Sequence, residues 1–146
     1  MGEFNQNNAV LRFCIDSFDS KTITGRVVSR RLTVPVAFND FVSLALQLDK
    51  TFTRQNFPQA FQSARTFLRI DSPEDYIAAE PSLGLTEECI SAQRGDILTF
   101  DITVTSRRNS SWQGIVTWVD TGEQQEFPSA MGFLRMLEQK LQTCSR

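Results

Sequence analysis

Gly25 lies 13 residues before Phe38, and Gly114 lies 13 residues before Phe127. The rest of the chain falls into register around these two equal intervals. Ahead of the first glycine, residues 10–16 (Val10 to Asp16) alternate as a strand. Asp19-Ser20-Lys21 supplies a turn, and residues 22–28 return. Arg30-Arg31 marks the next turn, before a third strand over 32–38. Pro35 removes a ladder donor there, which places that strand at a sheet edge or at a bulge. In the second half residues 98–104 (Leu98 to Val104) and 114–118 make the hairpin. Its tip is Arg107-Arg108-Asn109-Ser110-Ser111-Trp112, and residues 123–127 follow as a third strand after the Thr121-Gly122 turn.

Each phenylalanine then leads into a helix. Counting from it, positions +4, +7, +10 and +14 read Val42, Ala45, Leu48, Phe52 in one half and Met131, Leu134, Leu137, Leu141 in the other. That spacing gives each helix an apolar face, with Val42 and Leu46 widening the first. Asn39-Asp40 and Ser129 are in place as caps. The chain therefore reads as an α+β protein: an antiparallel sheet with helices on one face, built from two β-β-β-α units at 10–52 and 96–141. The expected core includes Phe41, Leu44, Leu48, Phe133 and Leu137. Residues 1–8 read as a loose leader and 142–146 as a tail, so 1–146 forms one domain. Between the units, residues 53–95 form a partly helical insert. Asn56-Phe57-Pro58 opens a helix running from Gln59 to Leu68, Ser72-Pro73-Glu74-Asp75 a short one to about Ala79, and Thr86 caps a further turn.

Composition bears mainly on function. There is no histidine, which removes the usual general base, the histidine triads and the HExxH metal site. The carboxylates form no EF-hand or phosphate-loop spacing, so neither metal nor cofactor is expected, and an enzyme is the less favoured reading. Cys14, Cys89 and Cys144 are odd in number and lack a CxxC spacing, which favours free thiols. Net charge is -2, giving no long-range attraction for nucleic acid or an anionic membrane. With no apolar run long enough to span a bilayer and no secretory leader pattern, cytoplasm is the expected location.

Two resemblances follow from the hairpin tip. Asn109-x-Ser111-x-x-Gly114 resembles a short element of PilZ domains, and Arg65-Thr66-Phe67-Leu68-Arg69 has the spacing of their arginine pair. This resemblance implies a β-barrel that binds cyclic di-GMP through guanidinium groups. Against it, Arg65 to Arg69 falls in an expected helix, and a barrel leaves little room for the others. Asn109 to Gly114, with Val116-Thr117-Trp118, Phe127-x-Ser129, Leu48-Asp49, Asn56 to Gln59 and Arg65-x-Phe67, resembles a signature of small uncharacterised proteins of anaerobic, Clostridia-like bacteria. The chain departs from that signature at Arg108, where glutamine is common, and at Ala130-Met131-Gly132. This second resemblance spans most of 13–141 and implies a shared fold without specifying a chemistry.

The reading of function is therefore a non-enzymatic binding or adaptor protein, acting on a protein partner or as a homodimer through an exposed sheet face or the hairpin tip. The alternative is a nucleotide or nucleic-acid binder using Arg30, Arg31, Arg107, Arg108 and Asn109, with Trp112 stacking a base. Trp112 and Trp118, six apart, face the same way on an unbulged strand, and a bulge at Gly114 would separate them. In the structural alternative Trp118 covers the core and Trp112 caps its edge.

Overall fold

A computed structural model describes residues 4–5, 8–19, 22–55, 57–58, 76–108 and 111–144, with the backbone alone at 144. The elements are β1 (Leu11–Phe18), β2 (Ile23–Ser29), β3 (Val36–Phe38), α1 (Phe41–Gln55), α2 (Glu87–Ser91), β4 (Leu98–Ser106), β5 (Gln113–Trp118), β6 (Gln124–Phe127) and α3 (Ala130–Cys144). A short 3-10 turn, Pro81–Leu83, precedes α2. The strands form one antiparallel six-stranded sheet in the order β3-β2-β1-β4-β5-β6. The architecture is α+β. Both halves run strand, strand, strand, helix, and the first strand of each meets the other at the sheet centre.

The equal glycine-to-phenylalanine interval has a geometric counterpart. Gly25 pairs with Phe38, and Gly114 pairs with Phe127. Opposite each glycine the neighbouring strand shifts register by one residue, skipping Asp16 in β1 and Thr105 in β4. A Cβ at Gly25 would lie 2.1 Å from the Cys14 carbonyl oxygen, and one at Gly114 2.2 Å from that of Thr103. No side chain fits either place. The irregularity opposite Gly114 belongs to β4, so the alternation of β5 is uninterrupted. Trp112 and Trp118 consequently both reach the core.

That core lies between one sheet face and the two long helices. Phe13 and Phe100 stack across the β1–β4 seam with ring centroids 5.0 Å apart. Phe133 of α3 lies against Phe13, Phe100, Phe127 and Phe41. Leu44, Leu48 and Phe52 of α1 and Leu137 and Leu141 of α3 complete it. Phe41 is half-buried at the margin. α1 is capped by Asp40, whose carboxylate accepts from the backbone N–H groups of Val42 (3.3 Å) and Ser43 (3.1 Å). At α3 the Ser129 hydroxyl accepts from Gly132 N–H at 2.9 Å. α1 spans 15 residues, about a turn more than the apolar spacing alone indicated.

The third strand and the insert depart from the sequence reading. The strand expected over 32–38 is confined to Val36–Phe38 at the sheet edge, because Pro35 offers no N–H to pair. Upstream of it, Leu32 bridges Ile77. Thr33 N–H donates to Tyr76 O, Ala78 N–H to Arg31 O and Leu85 N–H to Leu32 O. Residues 76–79 are thus bridged or bent and not the end of a helix, since pairing with 31–33 satisfies the backbone there. The helix expected from Gln59 to Leu68, the start of the one at Ser72, and the Arg65 and Arg69 pair lie outside the described residues.

The outer sheet face is half covered. Asp101 accepts from Arg12 on this side at 2.8 Å. Arg12 also donates to the carbonyl oxygens of Ile90, Ser91 and Gln93, and Arg26 to Gln93 and Arg94. These contacts seat α2 and the segment after it over β1, β2 and the start of β4. Beyond them Thr103, Ile115 and Thr117 are half-buried, and Gln124 and Glu126 are exposed.

Candidate functional site

The two arginines of greatest interest, Arg31 after β2 and Arg107 after β4, do not stand on the surface. Arg31 is 1% exposed and Arg107 7%. Both lie over the ring of Phe52, their guanidinium carbons 4.5 and 5.9 Å from its centroid. Arg31 donates through Nε to Gln55 Oε1 at 2.7 Å and through Nη2 to the Phe57 carbonyl. Gln55 replies by donating to the backbone carbonyls of Arg31 and Ala78. Arg107 donates to the Pro58 carbonyl at 2.7 Å, to Thr53 Oγ1 at 3.0 Å and to Asp49 Oδ1 at 3.5 Å. One arginine from each half therefore closes on the C-terminal end of α1, where the helix dipole favours positive charge.

Burial is what perturbs these groups. It pushes Arg31 down to about 9, with the charge of Arg107 pressing the same way. Arg107 is also lowered by burial, and Asp49 offsets part of that. At neutral pH both guanidinium groups stay charged, held by carbonyl, hydroxyl and amide oxygens and by the ring of Phe52. These two arginines brace a helix terminus from inside.

The other candidates go elsewhere. Arg30 faces the outer side of the sheet, lining a cavity of about 370 Å³ with Arg12, Asp101, Glu87 and Glu88. Its Nε is buried without a partner among the described residues. Arg108 is exposed at the tip. Gln113 holds that tip, accepting from Arg108 N–H at 2.8 Å and donating to Arg108 O at 3.2 Å. Asn109 lies outside the described residues. Trp112 is 6% exposed, packs edge-to-face on Phe52 with centroids 5.3 Å apart, and donates from Nε1 to Asp49 Oδ1 at 3.3 Å. It is packed as a core-edge residue and not displayed as a stacking platform. Among the described residues, Trp112 lines a groove that Arg107 and Arg108 do not.

That concavity lies between the helices. Phe41, Val42, Ala45, Leu46 and Asp49 of α1 face Ala130, Met131 and Leu134 of α3 across a groove of about 420 Å³, closed at one side by Ser111 and Trp112. Val42, Leu46 and Met131 are 65%, 67% and 60% exposed. The +4 and +7 positions, expected on one apolar face with +10 and +14, part from them in the fold. Positions +10 and +14 are indeed core, but Val42 and Met131 turn outward, and Ala45 and Leu134 line the groove. The signal was present in the width of the stripe. Apolar residues at 41, 42, 44, 45, 46, 48 and 52 cover more of a helix circumference than one sheet can bury.

The remaining chemistry is spare. No group of three or more His, Cys, Asp or Glu side chains among the described residues could hold a metal ion. Burial pushes the Cys14 thiol up, away from nucleophilic use. None of the described helices is long and apolar enough to cross a membrane. Compared with protein-family models, with curated proteins and with solved structures, the chain finds no match.

Proposed function

We propose that this is a non-enzymatic binding or adaptor protein whose working surface is the α1–α3 groove and whose ligand is another protein. The observation that carries this reading is the convergence of Val42, Leu46 and Met131, each more than half exposed, on one apolar concavity. Exposed apolar side chains scattered singly need no explanation, whereas a contiguous apolar patch marks an interaction site. The helices need none of the three for their own burial, because Leu44, Leu48, Phe52, Phe133, Leu137 and Leu141 supply it. Arg31 and Arg107 support the same reading indirectly, since two nitrogens of each guanidinium donate to the protein itself.

The test is affinity capture from extracts of the cells that make the protein, comparing wild type with a Leu46→Lys, Met131→Lys double variant. Both positions are exposed, so the variant should keep the wild-type circular dichroism and melting temperature. Partners retained by wild type should be lost from the variant. An unchanged set of retained proteins, with the fold intact, would sink the groove as the working surface.

A further inference from the structure

Resting on the reading of the groove as a docking surface, we infer that its occupant is an amphipathic helix of a partner protein. That helix carries a lysine or arginine about one turn beyond its apolar anchors, seated against Asp49. The walls decide the secondary structure. Both are helices, whose backbone N–H and C=O groups are already paired within themselves, so the groove offers an incoming chain no ladder to join. An extended peptide would bring unpaired backbone groups against Val42, Ala45, Leu46, Met131 and Leu134, whereas a helix satisfies its own. The α1 wall runs from Phe41 to Asp49, eight steps at about 1.5 Å, or roughly 12 Å. That is about two turns, enough for anchors at i, i+3 or i+4, and i+7.

Asp49 decides the charge. Among the described residues it is the one ionisable side chain lining the groove, and its side chain is 55% exposed. Its Oδ1 accepts from Trp112 Nε1 at 3.3 Å and Arg107 Nη1 at 3.5 Å, both long contacts. Trp112 and Arg107 thereby fix the carboxylate at the end of the groove, and no hydrogen bond to Oδ2 is recorded among the described residues. A cation arriving there forms a charge-assisted bond at the margin of an apolar surface. A second copy of this face would not supply it, because the described residues lining the groove include no basic one. A small apolar molecule is also a poor fit, since the groove is an open trough and leaves much of such a ligand in water.

The experiment is a display library of helical peptides with leucine fixed at three anchor positions and the remaining positions randomised. It is selected on the whole wild-type protein and counter-selected on Leu46→Lys. Enriched peptides should carry lysine or arginine about one turn past the last anchor. They should bind Asp49→Asn about tenfold more weakly than wild type, the effect of losing one moderately exposed charge pair. Asparagine keeps an oxygen for Trp112, and an unchanged near-ultraviolet dichroism would show the tip still packed. Enriched helices with no basic preference, or with equal affinity for Asp49→Asn, would overturn the inference and leave the docking surface standing. Concentration-dependent dimerisation of wild type, abolished by Leu46→Lys, would replace the partner helix by a second copy. Failure to enrich any peptide over Leu46→Lys would remove the docking surface as well.

Discussion

The two halves of this protein share an element order, a glycine–phenylalanine pair and a register shift, yet they are finished differently. In the first, α1 ends in a network of Arg31, Arg107, Gln55 and the Phe57 and Pro58 carbonyls, and α2 covers the outer sheet face. In the second, α3 carries a cation over an aromatic ring, Lys140 on Trp118 at 5.0 Å. There the outer strand residues Gln124 and Glu126 remain exposed. The common part is what a three-stranded antiparallel unit with a packed helix requires. The differences trace to the described parts of residues 53–95, which attach to the first half, to the start of β4 and to the hairpin tip.

The comparison breaks most sharply at the sixth residue after each phenylalanine. Phe133→Ala should cost about 3–5 kcal/mol in chemical denaturation, because its ring is shared by both halves. Leu44→Ala, the equivalent change, should cost nearer to 3 kcal/mol. A smaller loss for Phe133→Ala than for Leu44→Ala would mean that α1, and not α3, organises the core.

The helix ends should separate next. Arg31→Ala strands the Gln55 side chain and the Phe57 carbonyl, at about 2–3 kcal/mol. Lys140→Ala removes one half-exposed cation–π contact, about 0.5 kcal/mol. Arg31 also predicts a pH trend. Its folded value of about 9 lies below the ordinary guanidinium range, so the folded protein releases this proton before the unfolded chain does. Wild-type stability relative to Arg31→Met should therefore be level below pH 9 and rise as pH climbs above it. Paired urea titrations at pH 8 and 10.5 read the difference, and a fall with pH would contradict a buried charge.

The caps give the smallest contrast. Ser129→Ala should cost about 1 kcal/mol, nearly independent of pH. At the other helix the hydroxyl and backbone N–H of Ser43 hold the Asp40 carboxyl below the usual range. Its stabilisation is present above the unfolded value of about 3.9 and is lost as pH falls through the lower folded value. The melting difference between wild type and Asp40→Ala should accordingly shrink on acidification while that of Ser129→Ala persists.

Much of the fold was legible because it rests on local rules. Alternation, caps and the interval from glycine to phenylalanine located all six strands and both long helices. β3 came out too long in the reading because Leu32 is apolar in an alternating run, and only tertiary pairing shows that its partner is Ile77. The site was less legible. Arginine beside a turn ordinarily signals solvent, and nothing local told that Phe52 and the exit of α1 would draw in Arg31 and Arg107. Their neighbours Arg30 and Arg108 show how sharply adjacent residues diverge. Trp112 carried its own clue, since β5 alternation from Trp118 already aims it at the core. The groove was hidden by the assumption that an apolar helix position is a buried one.

Strand length tapers outward from the seam: nine and eight residues in β4 and β1, seven and six in β2 and β5, then three and four in β3 and β6. An intruding strand at either margin would find a ladder too short to hold it, which is how natural sheets discourage runaway growth into fibrils. Any chain that met this protein would find little purchase along the sheet borders.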